Sequence, residues 1–190
     1  ENMQYIAEIG DYSFSSTSVA EANIGDNVIC GEGAFFNSKV TVATVGENVK
    51  LGLGAFQNCK KLTKVNMPEK GGVHIGKYCF AYDTELKEID LSKTDDRLEE
   101  AAFFNCSSLK TANLVNGKYI EGYVFADCAK LEEVIVPAVV EIGQGAFAKY
   151  EQESGAAPRF TEIILPETLT KIGDGAFASQ TSLENVTLPA

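Results

Sequence analysis

Phenylalanine recurs along this chain at near-constant spacing, at Phe14, Phe35, Phe56, Phe80, Phe103, Phe125, Phe147 and Phe177, with intervals of 21, 21, 24, 23, 22, 22 and 30 residues. A fixed period in the twenties predicts a solenoid, in which each repeat is one coil that buries its apolar face by stacking on its neighbours. The spacing therefore constrains shape first and ligand hardly at all.

The last copy is the clearest template. Ile172-Gly173-Asp174-Gly175-Ala176-Phe177 is followed by Leu183, Val186, Leu188 and Pro189. The unit thus has an aliphatic residue five before the Phe, Gly four before, apolar residues six, nine and eleven after, and Pro twelve after. The copy at Phe56 matches with Leu51, Gly52, Leu62, Val65, Met67 and Pro68, and the copy at Phe125 with Ile120, Leu131, Val134, Val136 and Pro137. At Phe80 the set is Ile75, Gly76, Leu86, Ile89 and Leu91; at Phe103 it is Leu98, Leu109, Ala112 and Leu114. Glu99 and Glu121 stand where Gly would sit, and the first two copies are one residue short after the Phe. The copy at Phe147 carries an insertion within 148–159, so its apolar trio becomes Phe160, Ile163 and Leu165. Gly155 and Pro158 mark that insertion as a surface loop.

Each recurrent position has a physical reason. The alternation Val-x-Leu places two apolar residues on one face of a short strand, and stacked coils would pair these strands in parallel. Proline cannot donate to a ladder and belongs at a strand end; Pro68, Pro137, Pro166 and Pro189 all fall there. The repeated Gly (Gly10, Gly31, Gly52, Gly76, Gly143, Gly173) suits a tight corner or a positive φ. The Ala-Phe pair then begins a helical or 3₁₀ turn that drops the ring inside.

Composition bears on class. With 45% apolar residues the chain is expected to form one continuous core as a single domain over 1–190, in about eight repeats of 21–24 residues. A formal charge of −11 repels phosphate backbones and anionic membranes, which argues against nucleic-acid or lipid partners. No apolar run approaches the ~20 residues needed to span a bilayer. The chain opens at Glu1 inside a repeat and stops at Ala190 directly after a strand, so it reads as part of a longer or trimmed protein whose terminal edge is open to self-association.

Chemistry-bearing constellations dissolve into the repeat. Cys59, Cys106 and Cys128 each sit three after the Phe, where other copies carry Thr17, Ser38, Asp83 and Gln180. Without a C-x-x-C or Cys/His spacing they read as an internal ladder of small polar groups rather than a metal site or disulfide pair. Cys30 and Cys79 replace core residues. His74 is the one histidine and reads as structural or as a surface residue. The G-x-G fragments precede Ala-Phe and belong to the coil, so no phosphate loop is implied. Asp95-Asp96, Glu99-Glu100 and Glu132-Glu133 diverge as chain neighbours and read as solvated acids. The motifs Asn105-Cys106-Ser107 and Asn185-Val186-Thr187 follow from repeat positions. No catalytic, cofactor or metal residue is assigned.

Between the strand core positions, side chains point outward. The column ten after the Phe runs Asn23, Thr44, Asn66, Asp90, Asn113, Ile135, Ile164 and Thr187; the column eight after runs Glu21, Val42, Lys64, Glu88, Thr111, Glu133, Glu162 and Asn185. A polar trough through Lys64, Asn66, Glu88, Asp90 and Asn113 meets an apolar spot at Ile135 and Ile164. These are the candidate partner-binding residues, although the two isoleucines also suit a role in covering the sheet beside the insertion.

The phrase I-G-x-x-A-F-x-x-C-x-x-L-x-x-V-x-L-P, seen in Ile142-Gly143-Gln144-Gly145-Ala146-Phe147 and in Phe56-Gln57-Asn58-Cys59-Lys60-Lys61-Leu62, resembles the BspA-like leucine-rich repeat family of bacterial cell-surface proteins. The resemblance covers essentially the whole chain. It implies a right-handed leucine-rich-repeat coil with a parallel β-sheet on the concave face and short helical or 3₁₀ turns elsewhere. It also implies a secreted or surface-anchored, extracellular, non-catalytic binding module. Its partners would be host matrix or plasma proteins, or other cell-surface proteins. The alternative is a structural spacer or self-assembly element of a larger surface protein.

Overall fold

The computed structural model describes residues 8–150 and 161–189. In chain order its strands are β1 (Glu8–Ile9), β2 (Glu21–Ile24), β3 (Ile29–Cys30), β4 (Val42–Val45), β5 (Lys50–Leu51), β6 (Lys64–Asn66), β7 (His74–Ile75), β8 (Arg97–Leu98), β9 (Thr111–Asn113), β10 (Tyr119–Ile120), β11 (Glu133–Ile135), β12 (Glu141–Ile142), β13 (Glu162–Ile164), β14 (Lys171–Ile172) and β15 (Asn185–Thr187). They pair in parallel, coil on coil, in a β-solenoid of about eight turns. Each turn but the fourth has a wide strand of three or four residues after the Phe, and a two-residue strand precedes each next Phe. Among the described residues the helix content is one 3₁₀ turn, Leu91–Lys93. The Phe corners are successive hydrogen-bonded turns instead, as in Phe36 N–H to Gly33 O (2.8 Å) and Ser38 N–H to Phe35 O (3.0 Å).

The wide strands follow from alternation. Along β2, Ala22 and Ile24 are buried while Glu21 and Asn23 are exposed, and β4 repeats the pattern with Ala43 and Val45 inward. The register Ala22↔Ala43↔Val65 then stacks like on like. The narrow strands form two four-stranded ladders, β1-β3-β5-β7 and β8-β10-β12-β14. Each ends on the residue before the Gly position, aliphatic in every strand but β3, which ends on Cys30; Leu51, Ile75 and Ile142 there are fully buried.

All eight Phe rings stack in one column, with successive centroids 4.9–5.6 Å apart and ring planes within 15° of parallel. Phe56, Phe80, Phe103, Phe125 and Phe147 are wholly enclosed, while Phe14 at one end is 39% exposed. Burying each enclosed ring contributes about 1.5–3 kcal/mol. The backbone fixes the spacing: each Phe N–H donates to the carbonyl of the residue before the next Phe, from Phe14 to Ala34 O (2.7 Å) through to Phe147 to Ala176 O (2.8 Å).

The repeated glycine does not hold the positive φ expected as one reason for it. Positive φ falls instead two residues before the Phe, at Gly33, Gly54, Gly145 and Gly175, and two after it, at Asn37, Asn58, Asn105 and Asp127. At Gly31, Gly52, Gly76, Gly143 and Gly173, four before the Phe, the preceding coil approaches too closely for a Cβ, whereas Glu99 and Glu121 take the same position in two other coils. A Cβ at Gly52 would lie 2.6 Å from Cys30 O, and one at Gly143 2.5 Å from Glu121 C. Ile172, Val186 and Leu188, expected as core, are 41%, 50% and 60% exposed in the eighth coil, which has a described neighbour on one side. Phe160 and most of the insertion lie outside the described residues.

Candidate functional site

The wide-strand face carries the residues that the sequence marks as partner-binding, and its ladder is discontinuous. It runs as β2-β4-β6, then β9-β11, then β13-β15. The first break is at 88–90, in the fourth coil, where no strand forms. There Asp90 turns to cap the 3₁₀ helix, its carboxylate accepting from Ser92 N–H at 3.0 Å. A hollow of about 310 Å³ opens at that break, lined by Lys64, Glu88, Asp90, Thr111 and Asn113 together with Val65 and Ile89. Lys64, Glu88 and Asp90 are exposed and Asn113 half-buried. The Oδ1 of Asn113 is buried there with no hydrogen-bond partner.

The second break separates β11 from β13. Its hollow of about 540 Å³ is bounded by Ile135, Ile164, Pro137, Pro166 and the carboxylates of Glu133 and Glu162. Ile135 is 39% and Ile164 67% exposed. Asn66 sits away from both hollows, half-buried, donating through Nδ2 to Thr44 Oγ1 at 3.1 Å. Among the described residues of the outward column ten after the Phe, this is the side-chain pair joined by a hydrogen bond. The polar candidates other than Asn66 thus line one hollow and the two isoleucines the other.

Inside the coil, the residues three after the Phe form a polar ladder. Cys59, Cys106 and Cys128 donate their S–H to the carbonyls of Phe35, Phe80 and Phe103, each in the preceding coil, at 3.1, 3.1 and 3.2 Å. Gln180 places its Nε2 on Phe147 O in the same way. Every one of the five cysteines is buried and free. Burial pushes the thiols up, to about 11 for Cys30 and about 12 for Cys59 and Cys128, so none is a ready nucleophile. Asp83 occupies the same column, fully buried, with Oδ1 accepting Cys59 N–H at 2.7 Å and Oδ2 without a partner. Desolvation holds its carboxyl well above the usual range.

The family comparison agrees with this architecture. A BspA type leucine rich repeat region matches in six copies over residues 2–52, 30–154 and 155–190. The chain belongs to that family. A leucine-rich repeat protein from Bacteroides ovatus is 24% identical, with 96% of this chain aligned to 58% of that one at a TM-score of 0.48. A leucine rich cell surface protein from Faecalibacterium prausnitzii is 16% identical, with 98% of this chain on 85% of that one and a TM-score of 0.32. The chain therefore spans less than two thirds of the Bacteroides protein. No curated protein matches the sequence.

Within this BspA-type coil, one cluster escaped the sequence reading. His74 on β7 meets Asp95 Oδ2 through Nδ1 at 2.7 Å and Glu99 Oε1 through Nε2 at 3.4 Å. The hydrogen bond to Asp95 raises its pKa, against partial burial. The repeat equivalent of His74 in the next coil is Arg97, so the period did not point to Asp95 or Glu99. The paired acids part company likewise: Glu100 binds Lys77 Nζ at 3.3 Å, while Asp96 faces Lys118 at 3.6 Å. Among the described residues no group of His, Cys, Asp and Glu could hold a metal ion, and no helix is long and apolar enough to cross a membrane.

Proposed function

We propose that the chain is a non-catalytic protein-binding module of a secreted or surface-anchored bacterial protein, working through its wide-strand face. The observation that supports this reading most is the coincidence of the two ladder breaks with the candidate residues. A regular ladder presents a smooth surface, whereas each break here opens a hollow with usable chemistry. The hollow at Lys64, Glu88, Asp90 and Asn113 offers charges of both signs and an acceptor awaiting a donor. The hollow at Ile135 and Ile164 offers an apolar anchor rimmed by acids. Leucine-rich repeat domains generally bind proteins, and membership of a family of surface proteins points to adhesion to host matrix or plasma proteins.

The test is a binding screen of the chain against purified matrix and plasma proteins at two salt concentrations. A saturable interaction lost on Asn113→Arg or Ile135→Asp, with the melting temperature unchanged, supports the reading. If neither substitution weakens any interaction found, or none is found, the face is inert and the chain acts as a spacer.

A further inference from the structure

A second surface lies at the Phe corners, and none of its lining residues belongs to the wide strands. The residue two before each Phe runs Tyr12, Gly33, Gly54, Tyr78, Ala101, Tyr123, Gly145 and Gly175. Tyr12 and Tyr123 lay their rings over the next coil: a Cβ at Gly33 would fall 2.4 Å from Tyr12 Cε1, and one at Gly145 2.7 Å from Tyr123 Cε1. At Gly54 the nearest atoms belong instead to Gln57 of the same coil. A groove of about 460 Å³ results, bounded by Tyr12 and Tyr78, with Phe36 and Leu53 at its sides and Glu32 and Gln57 at its rim. Tyr12, Leu53 and Tyr78 are 51%, 44% and 36% exposed.

The charge in this groove is one-sided. Glu32 is its sole charged lining residue. Tyr12 Oη donates to its Oε1, and Asp11, which accepts Glu32 N–H at 2.7 Å, adds a second carboxylate beside it. Elsewhere in the coil some acids are matched by a base one coil away, as in Lys61–Glu85 and Arg97–Glu121. Among the described residues no basic side chain pairs with Asp11 or Glu32, and Lys77, next to Tyr78, is held by Glu100.

The chain also shows what fills such a site. The guanidinium of Arg97 lies 4.6 Å from the centre of the Tyr119 ring while its Nη1 pairs with Glu121 at 2.9 Å. Tyrosine face plus carboxylate is thus a guanidinium site within this fold. We propose that the groove between Tyr12 and Tyr78 receives the arginine side chain of a partner protein, its plane against a tyrosine ring and its N–H fork on Glu32. Arginine suits it better than lysine because a guanidinium is planar, weakly hydrated and able to bond a carboxylate in two places. The net charge of −11 draws basic segments toward it.

The test is an NMR titration of the intact chain with a capped Gly-Arg-Gly peptide and its citrulline counterpart, which keeps the shape and removes the charge. The arginine peptide should shift the Tyr12, Tyr78 and Gln57 resonances saturably. Binding should weaken about tenfold or more with citrulline, as a lost charge-assisted pair predicts. Glu32→Gln should produce the same loss, and Tyr78→Ala a smaller one, with melting temperatures unchanged. Equal binding of citrulline, shifts confined to the wide-strand face, or no saturable shift up to about 10 mM peptide would each overturn the proposal. Because the groove and the wide-strand face share no residue, its failure and that of the proposed function are told apart by which resonances and variants respond.

Discussion

The Phe column and the wide-strand face are built from the same eight repeats, yet one is continuous and the other is broken twice. The column admits no irregularity because each ring is held by the ring before, the ring after and an inter-coil backbone hydrogen bond. The face has water on one side, so an extra residue or a 3₁₀ turn there costs only a few ladder bonds. Intervals of 24 and 30 residues leave the ring spacing within 4.9–5.6 Å. Those two coils keep their wide strands, β6 and β13, and the missing strand belongs to the 23-residue coil that begins at Phe80. Irregularity collects where it can become a binding surface.

That contrast breaks most sharply under truncation. Phe103→Ala should lower unfolding free energy by about 3–5 kcal/mol in a denaturant titration, because an enclosed ring leaves a cavity. Glu88→Ala on the face should change it by no more than about 0.5 kcal/mol. Similar losses at both positions would mean that the face is as load-sharing as the column.

Glycines sharpen it next. Gly52→Ala forces a Cβ against the Cys30 carbonyl at 2.6 Å and should cost about 1–3 kcal/mol. Gly25→Ala, with nothing within 4 Å of the added carbon, should leave stability unchanged or slightly higher. Equal costs at the two sites would show that conformational freedom matters more than inter-coil approach.

The buried acid gives a pH signature. With its carboxyl raised by burial, Asp83 among Cys59, Cys79 and Cys106 favours the fold in acid, and this contribution is lost as pH rises above the usual carboxylate range toward the folded value. Asp83→Asn keeps the acceptor for Cys59 N–H and should raise stability at pH 7, with the gain shrinking toward pH 4. A loss at both pH values would show that the site holds a carboxylate anion.

The smallest effect belongs to His74, whose pKa is also raised, by Asp95 and Glu99 against burial and the nearby Lys50. Its contribution is complete below about pH 6.5 and fades as pH rises through the folded value. Half-exposure limits it to under about 1 kcal/mol. His74→Gln should flatten the stability profile between pH 6 and 8; an unchanged slope would place that titration elsewhere.

How much of this was legible varies by residue. The register of Ala22, Ala43 and Val65, the prolines after the wide strands and the cysteine ladder follow from period and alternation, because stacked coils repeat one environment at one position. The glycine four before the Phe was located correctly, but the positive φ offered as one reason falls elsewhere, and close approach between coils involves two segments that no local pattern records. Lys64 and Asn66 face outward, as alternation requires, but that Lys64 shares a hollow with Glu88 and Asp90 while Asn66 lies outside it depends on where strands fail to form.

The sequence by itself determined the coil, its period, its spine and which side chains face outward, because all of these are consequences of repetition. Only the tertiary structure decided the breaks in the ladder, the meeting of His74 with Asp95 and Glu99, the isolation of Asp83 and the groove between Tyr12 and Tyr78. Those features arise from differences between neighbouring coils, and a difference acquires physical meaning only when the coils are stacked.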